Sequence, residues 1–402
     1  MERTAPRAPS ARPDDGPPAA ARTSERLLRD VLRERCGTDF VERLELLHAV
    51  AAGDRAAAAE EVAALDTRAT GALVRACTMQ LAVDDVEDEL ERLEQRRAAE
   101  RAQTAAPEPL EQAGQLVAAH GPPAALDVRL VLTAHPTDIA RRSVLAKHRT
   151  IADLLERLGD PRLGPGERRR LEEELREALA IWHATNEVRT LRPRVADEVR
   201  RGLSFFRTVL FDAAAELARD CRRTLGAGDG EPPLRFGSWA GGDMDGNPNV
   251  TPETIRATLR DHRVHALTLL AERVRALRAA FSQAAATLPV TDALRASLAR
   301  DERELPRTAA VLADDYPHEA DEPLRRKLAF VAARLHVELT SARHGEAAQP
   351  TGYASADELV ADLEQIRDSV DSPTVAHGRI ERLLWQVRTF GFQLATLELR
   401  DG

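Results

Sequence analysis

Asp127-Val128-Arg129-Leu130-Val131-Leu132-Thr133-Ala134-His135-Pro136-Thr137 interrupts a chain that otherwise reads as helix. The run Asp127–Thr133 is short and apolar, and it stops at His135-Pro136. A residue before proline is pushed to extended geometry, so His135 is expected at a strand end rather than inside a helix. Two later runs have the same form. Leu234–Trp239 opens into Gly241-Gly242-Asp243-Met244-Asp245-Gly246-Asn247-Pro248, a loop whose glycines reach backbone angles other residues avoid. Gly391–Arg400 is the last β-like run. Apolar strands that end in polar or glycine-rich residues and are joined by helices are the layout of a parallel βα barrel. Function there collects at the C-terminal strand ends.

The remaining sequence predicts helices. Aromatics are only 3% of the 402 residues and alanine and leucine dominate the apolar set, which favours helix over strand. Helical spacing runs through Val41–Ala64 and Ala72–Ala102, the latter with Leu81, Val83, Val86, Leu90 and Leu93 as its apolar stripe. It returns at Ile139–Leu158, from Glu167 to about Thr190, and over Val195–Arg219 with Phe205, Phe206, Val209 and Leu210 as a core face. Thr251 and Pro252 start a helix reaching about Leu277, followed by Phe281–Leu298, Leu324–Ala342 and a helix from Ala356 to about Val370 behind Ser355. Ser24 is the expected cap of the first helix, and Thr104–Pro123 is expected to be a loose linker. The expected domains are a disordered tail over residues 1–23, a helical region over 24–126, and a barrel portion with long helical insertions over 127–402. The expected fold class is therefore mainly α with a few parallel β-strands, an incomplete (β/α) barrel surrounded by helices.

Hydrophobic residues at 43% allow a sizeable core. Lys and Arg number 57 against 66 Asp and Glu, a net charge of -9, which argues against non-specific nucleic-acid binding. Cys36, Cys77 and Cys221 are odd in number and far apart, so neither a disulfide framework nor a zinc site is expected. The chain has no apolar run of membrane-spanning length and no secretory h-region, and a reducing, cytoplasmic setting is expected.

A strand-end histidine held by proline presents an imidazole with an ordinary pKa of about 6.5, suited to proton transfer at neutral pH. A histidine can equally do no more than satisfy a buried hydrogen bond, and the neighbouring residues tip the balance. Val131–Thr137, followed by Arg141-Arg142 and Lys147-His148, closely resembles the histidine signature of phosphoenolpyruvate carboxylases. Phe236-Gly237-Ser238-Trp239-Ala240-Gly241-Gly242-Asp243-Met244-Asp245-Gly246-Asn247-Pro248-Asn249-Val250-Thr251 resembles the family's glycine–aspartate loop. Between them, Trp182, Thr185, Glu187, Arg189, Pro193, Asp197, Glu198 and Gly202 resemble a helical region of the family. Phe390-Gly391 and Leu397-Glu398-Leu399-Arg400 resemble the strand that follows.

The resemblance implies formation of oxaloacetate and phosphate from phosphoenolpyruvate and bicarbonate with Mg²⁺ or Mn²⁺, an anaplerotic supply to the tricarboxylic acid cycle. It implies that His135 is the general base on a carboxyphosphate intermediate and that Arg400 contacts the substrate phosphate, although Arg400 also reads as an exposed charge near the end of the sequence. Trp239 matches a tryptophan near the family's CO₂ pocket, with a plain core role as the alternative. Asp243 and Asp245 either orient their loop or bind a cation, and turn-forming aspartates beside glycines are the commoner case. Arg141 and Arg142 either face the anion or lie on a solvated helix face.

Three departures from the family pattern stand out. Asp138 takes the place of a usual Glu or Gln, Met244 that of an arginine, and Asp84-Asp85-Val86-Glu87 only loosely resembles an asparagine-containing helix of the family. By the resemblance, the family's metal-binding carboxylates, second-motif lysine, mobile arginine–glycine loop and inhibitor site lie beyond Arg400. A barrel of about eight strands does not close with three. The chain alone is therefore expected to be inactive, with metal ligands supplied by a complementary C-terminal chain, and the resemblance implies a homo-oligomer, in the family usually a tetramer. A non-catalytic relic, or a helical module binding carboxylase subunits, is the other function the sequence allows.

Overall fold

The computed structural model describes residues 19–102, 108–121, 126–133, 142–186, 194–226, 231–245, 247–287, 290–347 and 349–400. These are mainly helical, with one small parallel sheet, as expected of a mainly α chain with a few parallel strands. They form two compact units, residues up to 102 with 142–186, and residues 108–133 with 194–400.

The first unit is all helix: Ala19–Cys36, Thr38–Gly53, Arg55–Ala63, Thr67–Arg101, Arg142–Leu158 and Pro165–His183. Aliphatic residues at three- and four-residue spacing build its core, including Leu28, Ile151, Leu155, Leu175 and Leu179, around the buried Trp182. Ser24 is not a cap, because the first helix already runs from Ala19. Ser24 is buried inside that helix and hydrogen-bonds the Glu87 carboxylate. The expected helix Val41–Ala64 is two helices, broken at Asp54, whose side chain accepts from the amides of Ala56 and Ala57. In the expected apolar stripe Val83 is buried, but Leu81 is exposed.

The second unit carries the sheet: β1 (Val128–Leu132), β2 (Leu234–Ser238) and β3 (Thr396–Leu397), in the order β1-β2-β3 and all parallel. The register sets Val131 beside Gly237 and Ser238 beside Leu397. Strand alternation then gives the sheet two characters. Leu234, Phe236 and Ser238 are buried, Phe236 stacking on Phe390 at 5.3 Å and meeting Phe206 edge-on at 5.3 Å. Arg129, Arg235, Gly237, Trp239, Thr396, Glu398 and Arg400 belong to the opposite, largely polar face. Behind the apolar face, the helices Pro252–Ala280 and Pro323–His344 pack against each other along the core.

Several expected boundaries are corrected. The third strand is only Thr396–Leu397, because Gly391 ends the helix Glu381–Phe390 with φ 52° and the chain then passes the core as coil with Phe392, Leu394 and Ala395 buried. Within the expected core face Phe205 and Val209 are exposed. A π-helical turn over Phe206–Leu210 inserts an extra residue and moves the buried face to Phe206, Phe211 and Ala214. The expected linker contains the helix Pro109–His120. The described residues between Phe281 and Thr291 hold no helix, and the next one starts at Asp292 with the Thr291 hydroxyl as its cap. Ser355 occupies its cap position without a side-chain cap bond, whereas Thr251 accepts from the Thr254 amide.

All three cysteines are free. No described helix is long and apolar enough to cross a membrane.

Candidate active site

The polar sheet face gathers its chemistry where β2 and β3 end. The Trp239 amide donates to the Leu132 carbonyl at 3.0 Å, which extends the β1–β2 ladder by one bond. The Glu398 amide donates to the Ser238 carbonyl at 3.0 Å, and the Arg400 amide to that of Gly242 at 3.1 Å. The Met244 amide in turn donates to the Arg400 carbonyl at 2.8 Å. The segment after β3 is therefore laced to the glycine–aspartate loop after β2, and the side chains on both rise from a fixed backbone.

Arg400 sits over the Trp239 ring with its guanidinium carbon 4.1 Å from the ring centroid, a cation–π arrangement. Its Nη1 lies 3.4 Å from Asp243 Oδ2, and its Nη2 lies 4.0 Å from Asp245 Oδ2. The Arg400 side chain keeps 41% exposure, so the guanidinium can still meet an anion from solvent. Trp239 Nε1 donates to Glu398 Oε2 at 2.9 Å, while Glu398 Oε1 faces Arg129 Nη2 at 3.2 Å. Gly237 makes this possible: a Cβ there would lie 2.7 Å from Glu398 Oε1. A half-exposed guanidinium held on an aromatic platform has the planar donor fork that matches a small oxyanion.

A model of the phosphoenolpyruvate carboxylase family matches residues 19–402. This chain belongs to the phosphoenolpyruvate carboxylase family. The carboxylase of Xanthomonas campestris pv. campestris (strain 8004) is 33% identical over 401 residues, which are 93% of this chain and 43% of that protein. The carboxylase of Roseiflexus castenholzii (strain DSM 13941 / HLO8) is 33% identical over 412 residues, with the same two shares. That of Parasynechococcus marenigrum (strain WH8102) is 35% identical over 305 residues, 69% of this chain and 30% of its own length. The chain thus spans less than half the length of these curated relatives.

Of the residues singled out in the sequence as carboxylase site residues, Arg400, Trp239, Asp243 and Asp245 stand together. His135 and Arg141 lie outside the described residues. Arg142 opens the helix Arg142–Leu158 of the first unit, and its side chain too is outside them. Asp243 and Asp245 face the Arg400 cation. Among the described residues no group of three or more His, Cys, Asp or Glu side chains is placed to hold a metal ion. The two aspartates described here are paired with a guanidinium and do not by themselves fit a Mg²⁺ site.

Glu398, Arg129 and Gly237 were not singled out from the sequence as site residues. The signal was present in the period of two: Glu398 lies two residues before Arg400, on its face, and the strand register puts Trp239 beside it.

Proposed function

We propose that this chain supplies the phosphate-facing part of a phosphoenolpyruvate carboxylase site, on one arc of a (β/α) barrel whose remaining strands come from the rest of the family's length. The observation that carries this reading is Arg400 held over Trp239 at the ends of two parallel strands, in a chain of the carboxylase family.

In this reading the Arg400 fork binds the phosphate of phosphoenolpyruvate. A bicarbonate oxygen attacks phosphorus and the bond from phosphorus to the enol oxygen breaks, giving carboxyphosphate and the enolate of pyruvate. His135 takes the proton of the carboxyphosphate, which releases CO₂ and phosphate. The enolate carbon then attacks CO₂ beside Trp239 and oxaloacetate forms. Imidazole suits the proton step because its ordinary pKa, about 6.5, lies near the working pH. Asp243 and Asp245 hold the guanidinium in place between turnovers, and Arg141 and Arg142 add positive charge beyond the histidine. The metal ligands are assigned to the family's remaining length, and no step here is routed through them. Its reduced cysteines suit a cytoplasmic enzyme that replenishes the tricarboxylic acid cycle.

A coupled assay of oxaloacetate tests this reading, with phosphoenolpyruvate, bicarbonate and Mg²⁺. The chain alone is expected to form none. Adding a polypeptide that matches the other part of the relatives' length is expected to switch turnover on. Absence of turnover in the pair would favour a non-catalytic module that binds carboxylase subunits, a reading suggested by the 43% coverage of the Xanthomonas protein.

A further inference from the structure

Glu398 joins two donors that share nothing else. Its Oε2 accepts the Trp239 indole N–H at 2.9 Å and its Oε1 pairs with Arg129 at 3.2 Å. The backbone beneath is fixed by the bond from the Glu398 amide to the Ser238 carbonyl at 3.0 Å. A Cβ at residue 237 would lie 2.7 Å from Glu398 Oε1, so glycine there lets the carboxylate keep this position. An indole N–H and a guanidinium both donate and neither accepts, so an ionised carboxylate is the side chain that satisfies both at once.

A face of the same indole carries the Arg400 guanidinium, 4.1 Å from the ring centroid. A ring whose N–H is bonded to an anion is polarised toward greater electron density on its face, which strengthens its hold on a cation. We propose that Glu398 is a positioning residue of the carboxylase site: it locks the plane of Trp239 and, through that ring, the direction of the Arg400 fork. This rests on the carboxylase reading for what the fork binds. Without Glu398 the indole is free to turn about its side-chain bonds. Arg400 then loses its platform and folds onto Asp243 and Asp245, which already lie 3.4 and 4.0 Å from it. The donors meant for substrate phosphate are then spent on the loop.

The test has two readouts. The chain holds three tryptophans, Trp182 and Trp385 buried at 1% exposure and Trp239 half-buried. With ¹⁵N-labelled indoles, Glu398→Ala should move the Trp239 N–H signal upfield and leave those of Trp182 and Trp385 in place. Glu398→Gln, which keeps an acceptor, should move it less. In the reconstituted carboxylase pair, Glu398→Ala should raise KM for phosphoenolpyruvate about tenfold with a smaller change in kcat, and Glu398→Gln should recover most of it. A Trp239 signal that stays put in Glu398→Ala overturns the proposal. So do three indole signals moving together, which would mark a merely structural carboxylate, and an unchanged KM. A pair that never turns over counts against the carboxylase reading alone, because the indole readout needs no substrate.

Discussion

Arg400 rests its guanidinium 4.1 Å from the centroid of the Trp239 ring while Asp243 Oδ2 meets Nη1 at 3.4 Å. The aromatic face and the carboxylate fix the cation from two directions and leave part of the fork facing solvent. Lysine offers a point charge in place of this fork and stacks poorly. Arg400→Lys should therefore cost about 1.5–3 kcal/mol of phosphate binding, roughly a ten- to hundredfold rise in KM for phosphoenolpyruvate. Steady-state kinetics of the reconstituted enzyme measure it.

Gly241 turns the chain out of β2 toward the loop at φ 85°, and a Cβ there would lie 2.2 Å from the Thr258 hydroxyl. Thr258 is buried and its hydroxyl donates to the Thr254 carbonyl at 2.9 Å, so it cannot swing aside freely. Gly241→Ala combines left-handed backbone strain, about 1–2 kcal/mol, with overpacking of about 1–3 kcal/mol. Urea unfolding should show a loss of about 2–5 kcal/mol. Adding Thr258→Ala should return part of it by removing the overpacking alone.

Much of this arrangement was legible in the sequence, and the failures have specific causes. β1 and β2 announced themselves as β-type runs that stop at His135-Pro136 and at the glycine loop. The third run misled because Phe392 and Leu394 alternate like a strand while they are buried as coil. Phe205 and Val209 were placed inside because a 3.6-residue period cannot foresee a π-helical turn. Pro109 read as a breaker, yet it sits in the first turn of a helix, where its missing N–H costs nothing. In the site, Arg400 and Trp239 were found by resemblance, whereas Glu398 needed the β2–β3 register, which sequence does not print.

His262 gives the second unit a pH dependence of known sign. Burial, with the nearby His265 charge as the lesser cause, pushes its pKa from the ordinary 6.5 down to about 4. Between those values the unfolded chain takes up a proton that the folded one refuses. Its contribution is therefore complete above pH 6.5 and is lost as pH falls toward 4. The size is about 3 kcal/mol. His262→Leu should remove that part of the slope. Parallel urea titrations at pH 7 and pH 4 check it, and identical slopes for both proteins would be the contrary result.

Lys327 is buried at 1% exposure with three partners, Ser297 Oγ at 2.9 Å, Asp301 Oδ2 at 2.7 Å and Asp362 Oδ1 at 2.6 Å. Removing one member of such a group strands the others. Arg334 still pairs with Asp301, and the Tyr353 hydroxyl still donates to Asp362, which softens the loss. Lys327→Met should destabilise by about 3 kcal/mol, the low end for a broken buried pair. Thermal unfolding reads it as a lowered Tm.

The most direct test concerns one imidazole. In the reconstituted pair, His135→Asn should abolish oxaloacetate formation from phosphoenolpyruvate and bicarbonate while the far-UV circular dichroism of the chain stays that of the parent. Near-parental oxaloacetate rates in His135→Asn would contradict the assignment of this residue as the base.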